Sequence, residues 1–398
     1  MERAHLAALL GAGASSTQGT GRVVEEADHG RFMASFSEAI RGDRNVFLGN
    51  PAWQASEREE LERIVKSGRD AGDRGWLMIP SGGAGGGLKF ARHDGWTIAA
   101  AVEGFRRHFG MDRVNAVSVL PLHHVSGFMA WMRSALTGGA FVPWSWKEAE
   151  GGRLPSEISD ACCLSLVPTQ LQRLLASGAS VEWLRRFRII FVGGGPAWGT
   201  LLEDGARLGL PLSPCYGATE TAAMVAALKP EQFLGGVRGC GAPMPHARID
   251  LDDGVVRITG ESVFRGYFPA TRDGDSWTTG DSGIFTPEGS LVILGRNDGI
   301  IVTGGKKVFP DEVEEALRSS GEFDDVAVIG VPDPEWGRAV VACHPTPGKP
   351  IGMERIKASL SRLASFKHPK RYVPVSPWPR NAQGKIDRAE LFRIASSR

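Results

Sequence analysis

The feature that most constrains this chain is a repeated pattern: a short apolar run, a cluster of glycines or a proline, then a helical stretch. WLMIPSGG begins at Trp76, AVSVLPL runs from Ala116 to Leu122, CCLSLVP from Cys162 to Pro168, and FRIIFVGGG from Phe187 to Gly195. Helical patterns lie between them at Gly95 to Phe109, Gly127 to Leu136 and Thr169 to Ser177. Strands alternating with helices of that length build βαβ units on a largely parallel sheet. Such sheets hold ligands at the carboxyl ends of their strands. Glycine supplies 52 of the 398 residues, about 13% against roughly 7% in average proteins. The excess is gathered at Gly82 to Gly87, Gly193 to Gly195, Gly235 to Gly241 and Gly304-Gly305. Glycine clusters beside apolar runs mark loops where backbone approaches a ligand, not low-complexity sequence.

A chain of 398 residues exceeds what one hydrophobic core usually serves. Residues 1 to 75 read as helical and peripheral, with EREELERIVK at Glu57 to Lys66 the clearest amphipathic stretch. From Arg248 to Leu294 the helical pattern vanishes, and short strands with Asp-Gly and Gly turns predict a small β subdomain. Beyond Arg296-Asn297-Asp298-Gly299 come IIVTGG, a helix from Pro310 to Ser319, the strand VAVIGV and a helix from Met353 to Ala364. The expected architecture is α/β: a large N-terminal domain of βαβ units over 1–296, with a β subdomain at about 240–296, then a small mobile α+β C-terminal domain over 297–398. A hinge is expected near Asp298, where a polar, glycine-containing step separates two apolar strands.

Charge and cysteine content limit the partners. Lys+Arg total 46 and Asp+Glu 45, a net charge of +1, so no global field recruits nucleic acid or an anionic membrane. Five cysteines without a C-x-x-C spacing argue against a disulfide framework or zinc site and for a reducing cytoplasm. The apolar patch Leu6 to Leu10 reads as a helix, and no run of eighteen apolar residues predicts a membrane span.

Four loops carry candidate chemistry. Pro80-Ser81-Gly82-Gly83-Ala84-Gly85-Gly86-Gly87-Leu88-Lys89 follows a strand and precedes a helix-forming segment. Its amides can converge on phosphate oxygens, with Lys89 adding a point charge, although a flexible surface turn is the alternative. Gly193-Gly194-Gly195-Pro196 offers bare backbone on which a nucleotide ring can lie, or simply a tight turn. Pro214 to Thr221 (PCYGATET) puts an aromatic ring, a hydroxyl and a carboxylate within five residues. A nucleotide site wants that set together, with the carboxylate as a hard ligand for Mg2+; a solvated glutamate is the alternative. Asp281, in Thr279-Gly280-Asp281, and Arg296 suit a ribose.

The order of these motifs, from the phosphate loop and a His-rich loop through YGxTE, TGD, GRxD and GGK to N-x-x-G-K, resembles the adenylate-forming superfamily of acyl-CoA synthetases, luciferases and nonribosomal adenylation domains. The resemblance runs from about residue 76 to 390. Leu120-Pro121-Leu122-His123-His124-Val125-Ser126-Gly127 and the run SLVPTQL, followed by Arg173-Leu174-Leu175, look most like the o-succinylbenzoate–CoA ligases.

This resemblance implies a two-step reaction, with ATP and Mg2+ giving an acyl adenylate and coenzyme A as the second substrate. By it, Lys385 bridges carboxylate and α-phosphate, Thr219 touches the α-phosphate, and Glu220 holds Mg2+. Ser81, Gly82, Gly83, Gly85 and Lys89 face the phosphates; Tyr216, Gly217, Gly194, Gly195 and Pro196 frame adenine; Asp281 and Arg296 take the ribose. His124, Ser126, Arg133 and Gly217 line the acyl pocket, with Arg133 binding the acid's second carboxylate. Gly304, Gly305 and Lys306 line the thiol channel after rotation about Asp298. A ligase for another aromatic or short fatty acid, a stand-alone adenylation module and a degenerate homologue remain open, as does a homo-oligomer. Two departures stand out. Gly83 and Ala84 replace the usual hydroxyl residues, and the segment before residue 76 is shorter than in most members.

Overall fold

The computed structural model describes residues 1–10, 22–68, 74–82, 87–156, 161–197, 199–323, 325–346, 351–380 and 386–397. Its first sheet has the order β1-β2-β3-β4, from Arg22–Val24, Val46–Leu48, Leu77–Gly82 and Leu88–His93. The first three strands are parallel and β4 returns antiparallel on β3. Helices α1 (Arg3–Leu9), α2 (His29–Ala39) and α3 (Ala55–Ser67) belong to this region.

Two expectations are corrected here. The first 75 residues are neither all helical nor peripheral. Val46, Phe47 and Leu48 are fully buried on β2, and Leu6, Phe32 and Phe36 enter a core shared with Phe128 and Trp131. A three-residue strand in a parallel sheet is buried on both faces and has no alternation to betray it. The glycine loop after β3 leads into an antiparallel strand, not directly into a helix. That helix, α4 (Gly95–Phe109), starts one strand later at Asp94, whose carboxylate accepts from the amides of Trp96 and Thr97.

The second sheet has the order β10-β9-β8-β7-β5-β6. Its strands are β5 (Asn115–Ser118), β6 (Phe141–Pro143), β7 (Cys162–Leu166), β8 (Ile189–Val192), β9 (Leu212–Ala218) and β10 (Ala223–Ala227). All neighbours are parallel except β10, antiparallel to β9. Alternating with them are α5 (Val125–Leu136), α6 (Trp146–Glu150), α7 (Pro168–Leu175), α8 (Gly178–Leu184), α9 (Gly199–Arg207) and α10 (Pro230–Leu234). Helices α4 and α5 contact each other and both touch β10, so they cover one face of the sheet. A core including Leu164, Leu171, Trp183, Ile190 and Leu212 joins the sheet to α7, α8 and α9. Because β5, β7, β8 and β9 run the same way, the loops after them open at one edge.

Four antiparallel strands follow: β11 (Ala247–Asp252), β12 (Val255–Gly260), β13 (Ser276–Phe285) and β14 (Leu291–Arg296). The cluster Gly235 to Gly241 serves this junction. The Cys240 amide donates to the Leu291 carbonyl at 2.6 Å, the Leu291 amide to the Gly241 carbonyl at 2.9 Å, and the Ser290 hydroxyl to the Arg238 carbonyl at 2.7 Å. These glycines stitch the loop after α10 to the start of β14.

The remainder holds the hairpin β15 (Ile301–Thr303) and β16 (Lys306–Val308), helix α11 (Pro310–Ser319), and a sheet of β17 (Ala327–Asp333), β18 (Gly337–Pro345) and β19 (Arg371–Val375). Helices α12 (Met353–Leu360) and α13 (Arg388–Ser396) complete it. It has its own core around Val313, Leu317, Val328 and Val340. Glu315 of α11 accepts from the Gly199 amide at the start of α9, 2.9 Å away, linking it to the second sheet's layer. Among the described residues, no helix is long and apolar enough to cross a membrane.

Candidate active site

Three groups of candidate residues lie at the carboxyl edge of the second sheet. His124 follows β5, Gly193 to Pro196 follow β8, and Tyr216 to Glu220 end β9 and enter the turn Thr219–Thr221. At Gly217 the chain passes so close to β10 that a Cβ would lie 2.0 Å from the Ala223 carbonyl oxygen. Only glycine fits there. The turn ends on Ala222 and Ala223 at φ of 49° and 76°, a left-handed conformation that costs alanine roughly 1–2 kcal/mol per residue. Strain of this kind collects where surrounding structure dictates the backbone path.

Glu220 is 6% exposed, and its Oε1 accepts two hydroxyls: Ser81 Oγ at 2.5 Å and Tyr267 OH at 2.7 Å. Three segments far apart in sequence thus converge on one oxygen. Among the described residues no cation pairs with this carboxylate. A buried carboxylate that has hydroxyl donors but no positive partner is a fitting seat for a cation. Ser81, expected among the phosphate contacts, directs its one proton at Glu220 here. Lys89, opposite Ser81 in the β3–β4 register, is exposed, with its ammonium 6.0 Å from the Tyr267 ring centre.

Behind the turn, fully buried His93 places Nε2 2.7 Å from the Thr219 carbonyl oxygen and Nδ1 3.1 Å from the Thr97 hydroxyl. A carbonyl oxygen only accepts, so Nε2 carries the proton. Burial pushes His93 down to about 4, keeping it neutral near pH 7.

On the other side, Tyr216 donates to Asp281 Oδ2 at 2.6 Å, and Arg296, the register partner of Asp281, lies 3.5 Å from Oδ1. Burial and then the Asp281 charge push the Tyr216 phenol well above its ordinary value. Arg296 also grips Asp298 through Nε at 3.1 Å and Nη2 at 2.7 Å. That bidentate contact holds the Asp298 carboxyl below the usual range. The expected ribose pair is thus tied directly to the expected hinge residue.

Arg133 sits apart, on the last turn of α5. It is 3% exposed, and its Cζ lies 4.6 Å from the centre of the Phe105 ring. Its Nε has no hydrogen-bond partner and, among the described residues, no carboxylate pairs with it. Burial lowers it to about 10, against weak opposing effects of Cys215 and Cys163. His124 is the N-cap of α5 and its ring lies 4.4 Å from that of His123; Ser126 is half-buried in the first turn. Burial and then the neighbouring His124 take His123 down to about 3.

The described candidates of the last hundred residues make their contacts elsewhere. Gly304 donates its amide to the Trp336 carbonyl, and Lys306 places its ammonium 4.7 Å from the Phe366 ring, contacts within the last hundred residues. Lys385, Gly83 and Gly85 lie outside the described residues, and Gly82 ends β3. Reading the sequence missed His93 and Tyr267. A signal existed for the second: the chain has only three tyrosines, and two of them donate to carboxylates of this site.

Comparison with known proteins gives the family. The profile of the AMP-binding enzyme family matches residues 55–268, and that of the AMP-binding enzyme C-terminal domain matches 312–385. The 2-succinylbenzoate–CoA ligase of Bacillus licheniformis is 32% identical over 321 residues, covering 76% of this chain and 62% of that protein. The corresponding ligase of Listeria monocytogenes is 31% identical over 328 residues, covering 79% of this chain and 69% of the relative. The chain therefore spans about two thirds of the length of these curated relatives. Among solved structures, o-succinylbenzoate coenzyme A synthetase from Bacillus subtilis in complex with ATP and magnesium superposes with a TM-score of 0.81 at 23% identity, over 94% of this chain and 89% of that one. At that identity the likeness carries the α/β fold alone. With its family profile matched over more than half its length, the chain belongs to the AMP-binding enzyme family.

Proposed function

We propose that this protein joins o-succinylbenzoate to coenzyme A through an acyl adenylate. In the first step a carboxylate oxygen of the acid attacks the α-phosphorus of ATP and pyrophosphate leaves. In the second, the coenzyme A thiol attacks the acyl carbon, the C–O bond to AMP breaks, and AMP departs while the thiol proton passes to solvent. The observation that carries the choice of acid is Arg133, a buried guanidinium on an aromatic face with no anion among the described residues. An unpaired buried cation is costly, and a substrate with a second carboxylate offsets that cost when it binds. The names of the curated relatives support the same acid. So does the Bacillus subtilis structure holding the acyl-adenylate intermediate OSB-AMP.

The site divides the work. Glu220 fits a nucleotide-bound Mg2+, whose charge would help neutralise the phosphates as two anions meet. Thr219, its carbonyl held by His93, faces the α-phosphate; Lys89 and the loop from Gly82 through Gly83 and Gly85 serve the outgoing pyrophosphate. Tyr216 stacks on adenine, opposite Gly194, Gly195 and Pro196. Asp281 and Arg296 take the ribose, and Lys385 bridges the two reacting anions. Rotation of the 297–398 domain at Asp298 then withdraws Lys385 and presents Gly304, Gly305 and Lys306 to the thiol, the Arg296–Asp298 contact lying at the pivot. All three substrates are small molecules of the cytoplasm.

Pyrophosphate release over a panel of carboxylic acids, with and without coenzyme A, tests the reading. Release that requires o-succinylbenzoate, with thioester appearing only when coenzyme A is added, is expected. Lys385→Ala should abolish adenylation yet keep thioester formation from synthetic adenylate. Equal loss of both steps contradicts its role, and indifference to the acid's second carboxylate contradicts the substrate.

A further inference from the structure

A second polar group beside Arg133 is left unsatisfied. His246 stands in the loop between α10 and β11, and both its ring nitrogens are buried without a hydrogen-bond partner among the described residues. The Met224 backbone approaches the ring but stays outside hydrogen-bond geometry. The ring occupies a recess in α4 made by Gly104: a Cβ there would lie 1.8 Å from His246 Nδ1. The next residue is Phe105, the ring on which Arg133 stacks. One turn of α4 therefore carries both the imidazole and the guanidinium.

The neighbourhood is one-sided in charge and hydrogen bonding. Cys163 and Cys215 face Arg133 as neutral thiols, pushed up to about 12 mainly by burial. His108 points Nε2 at the Ala227 carbonyl oxygen. His246 itself is lowered to about 4, first by burial and then by the Arg133 charge, so it is neutral and keeps one N–H to donate. Leaving a buried polar group unpaired is destabilising, and an apolar residue of similar volume would avoid the loss. A guanidinium with an unpartnered Nε and a neutral imidazole donor, seated at the adjacent positions Phe105 and Gly104 of α4, suit the oxygens of a carboxylate.

We propose that His246 is a specificity-determining residue that donates a hydrogen bond to the second carboxylate of the acid substrate, alongside Arg133. This rests on the diacid reading above and adds a residue to it. Arg133 supplies the charge and His246 fixes the orientation, so an acid lacking that carboxylate gains nothing from either.

The test compares kcat/KM for o-succinylbenzoate with that for 4-oxo-4-phenylbutanoate, which lacks the ring carboxylate, in the full chain with ATP, Mg2+ and coenzyme A. In His246→Leu the ratio should fall about tenfold, through KM and not kcat. His246→Gln, which returns an N–H donor, should recover most of the ratio. The melting temperature of His246→Leu should equal or exceed that of the parent. A ratio within twofold of the parent in His246→Leu, while Arg133→Leu loses it, overturns the role of His246 alone. A ratio that moves in neither variant overturns the diacid reading itself. A fall in His246→Leu that Gln leaves unrepaired assigns the residue to packing and also overturns the proposal.

Discussion

Glu220 and Arg133 are both buried charges without an opposite charge among the described residues, yet they are housed in opposite ways. Two hydroxyls from distant segments hold one oxygen of Glu220. Arg133 rests on an aromatic face, with its Nε left without a partner among the described residues. Hydroxyl donors offset part of the desolvation of a carboxylate and fix its direction before any ligand arrives. An aromatic face fixes the plane of a guanidinium but satisfies none of its N–H groups. On the proposed reading Glu220 is thus oriented in advance for the nucleotide's cation, whereas Arg133 stays destabilising until an acid with a second carboxylate binds.

The sharpest way to break this comparison is Glu220→Gln. The amide oxygen can still accept from Ser81 and Tyr267, so the melting temperature should stay within about 1 °C of the parent, a change of about 1 kcal/mol or less. The charge is gone, so ATP–pyrophosphate exchange should fall by about two to three orders of magnitude, the scale of losing one electrostatic contact to the transition state. Unchanged exchange would show that Glu220 is held only for the fold.

Arg133→Leu should act in the other sense on stability. Removing a buried, unpaired cation in favour of an apolar side chain is neutral or stabilising, so the melting temperature of the free protein should rise by about 2 °C or more. Calorimetry with o-succinylbenzoate present would sharpen the contrast: the ligand should stabilise the parent and do little for the variant. A melting temperature lowered by several degrees would mean that Arg133 already has its partner.

The contrast also explains what the sequence could disclose. Helices α4 and α11 were legible to the residue, because Asp94 caps the first and Pro310 opens the second just where the apolar period begins. Tyr216, Thr219 and Glu220 were legible as a set because they lie within five residues on one strand and its turn. Ser81 and Tyr267 reach Glu220 from 139 and 47 residues away. No local pattern announces a contact that only the packing of β3 against the turn creates. The early strands were missed for a related reason: Val46–Leu48 is too short and too apolar for a period. Arg133 stood out because a cation in an apolar helix is anomalous by itself. His246 did not, since its recess depends on Gly104, 142 positions earlier in the sequence.

The smallest effect expected concerns the support behind the Glu220 turn. His93 takes a proton at about 4 in the folded protein but near 6.5 when unfolded. Between those values the unfolded chain binds more protons, so stability is fully present above about pH 6.5 and is lost as pH falls toward 4. His123, at about 3, and His246, at about 4, add slopes of the same sign. His93→Gln can still donate to the Thr219 carbonyl but has no proton to gain. Its melting temperature should therefore fall less steeply than the parent's between pH 6.5 and 4, with part of the slope remaining from the other two rings. Adenylation at pH 7.5 should stay within a few fold, because the bond holding the turn survives, while His93→Leu, which lacks the donor, should lose more. If both variants lose adenylation equally, the donor to Thr219 does not hold the turn. If His93→Gln keeps the parent's full slope, the acid sensitivity lies elsewhere.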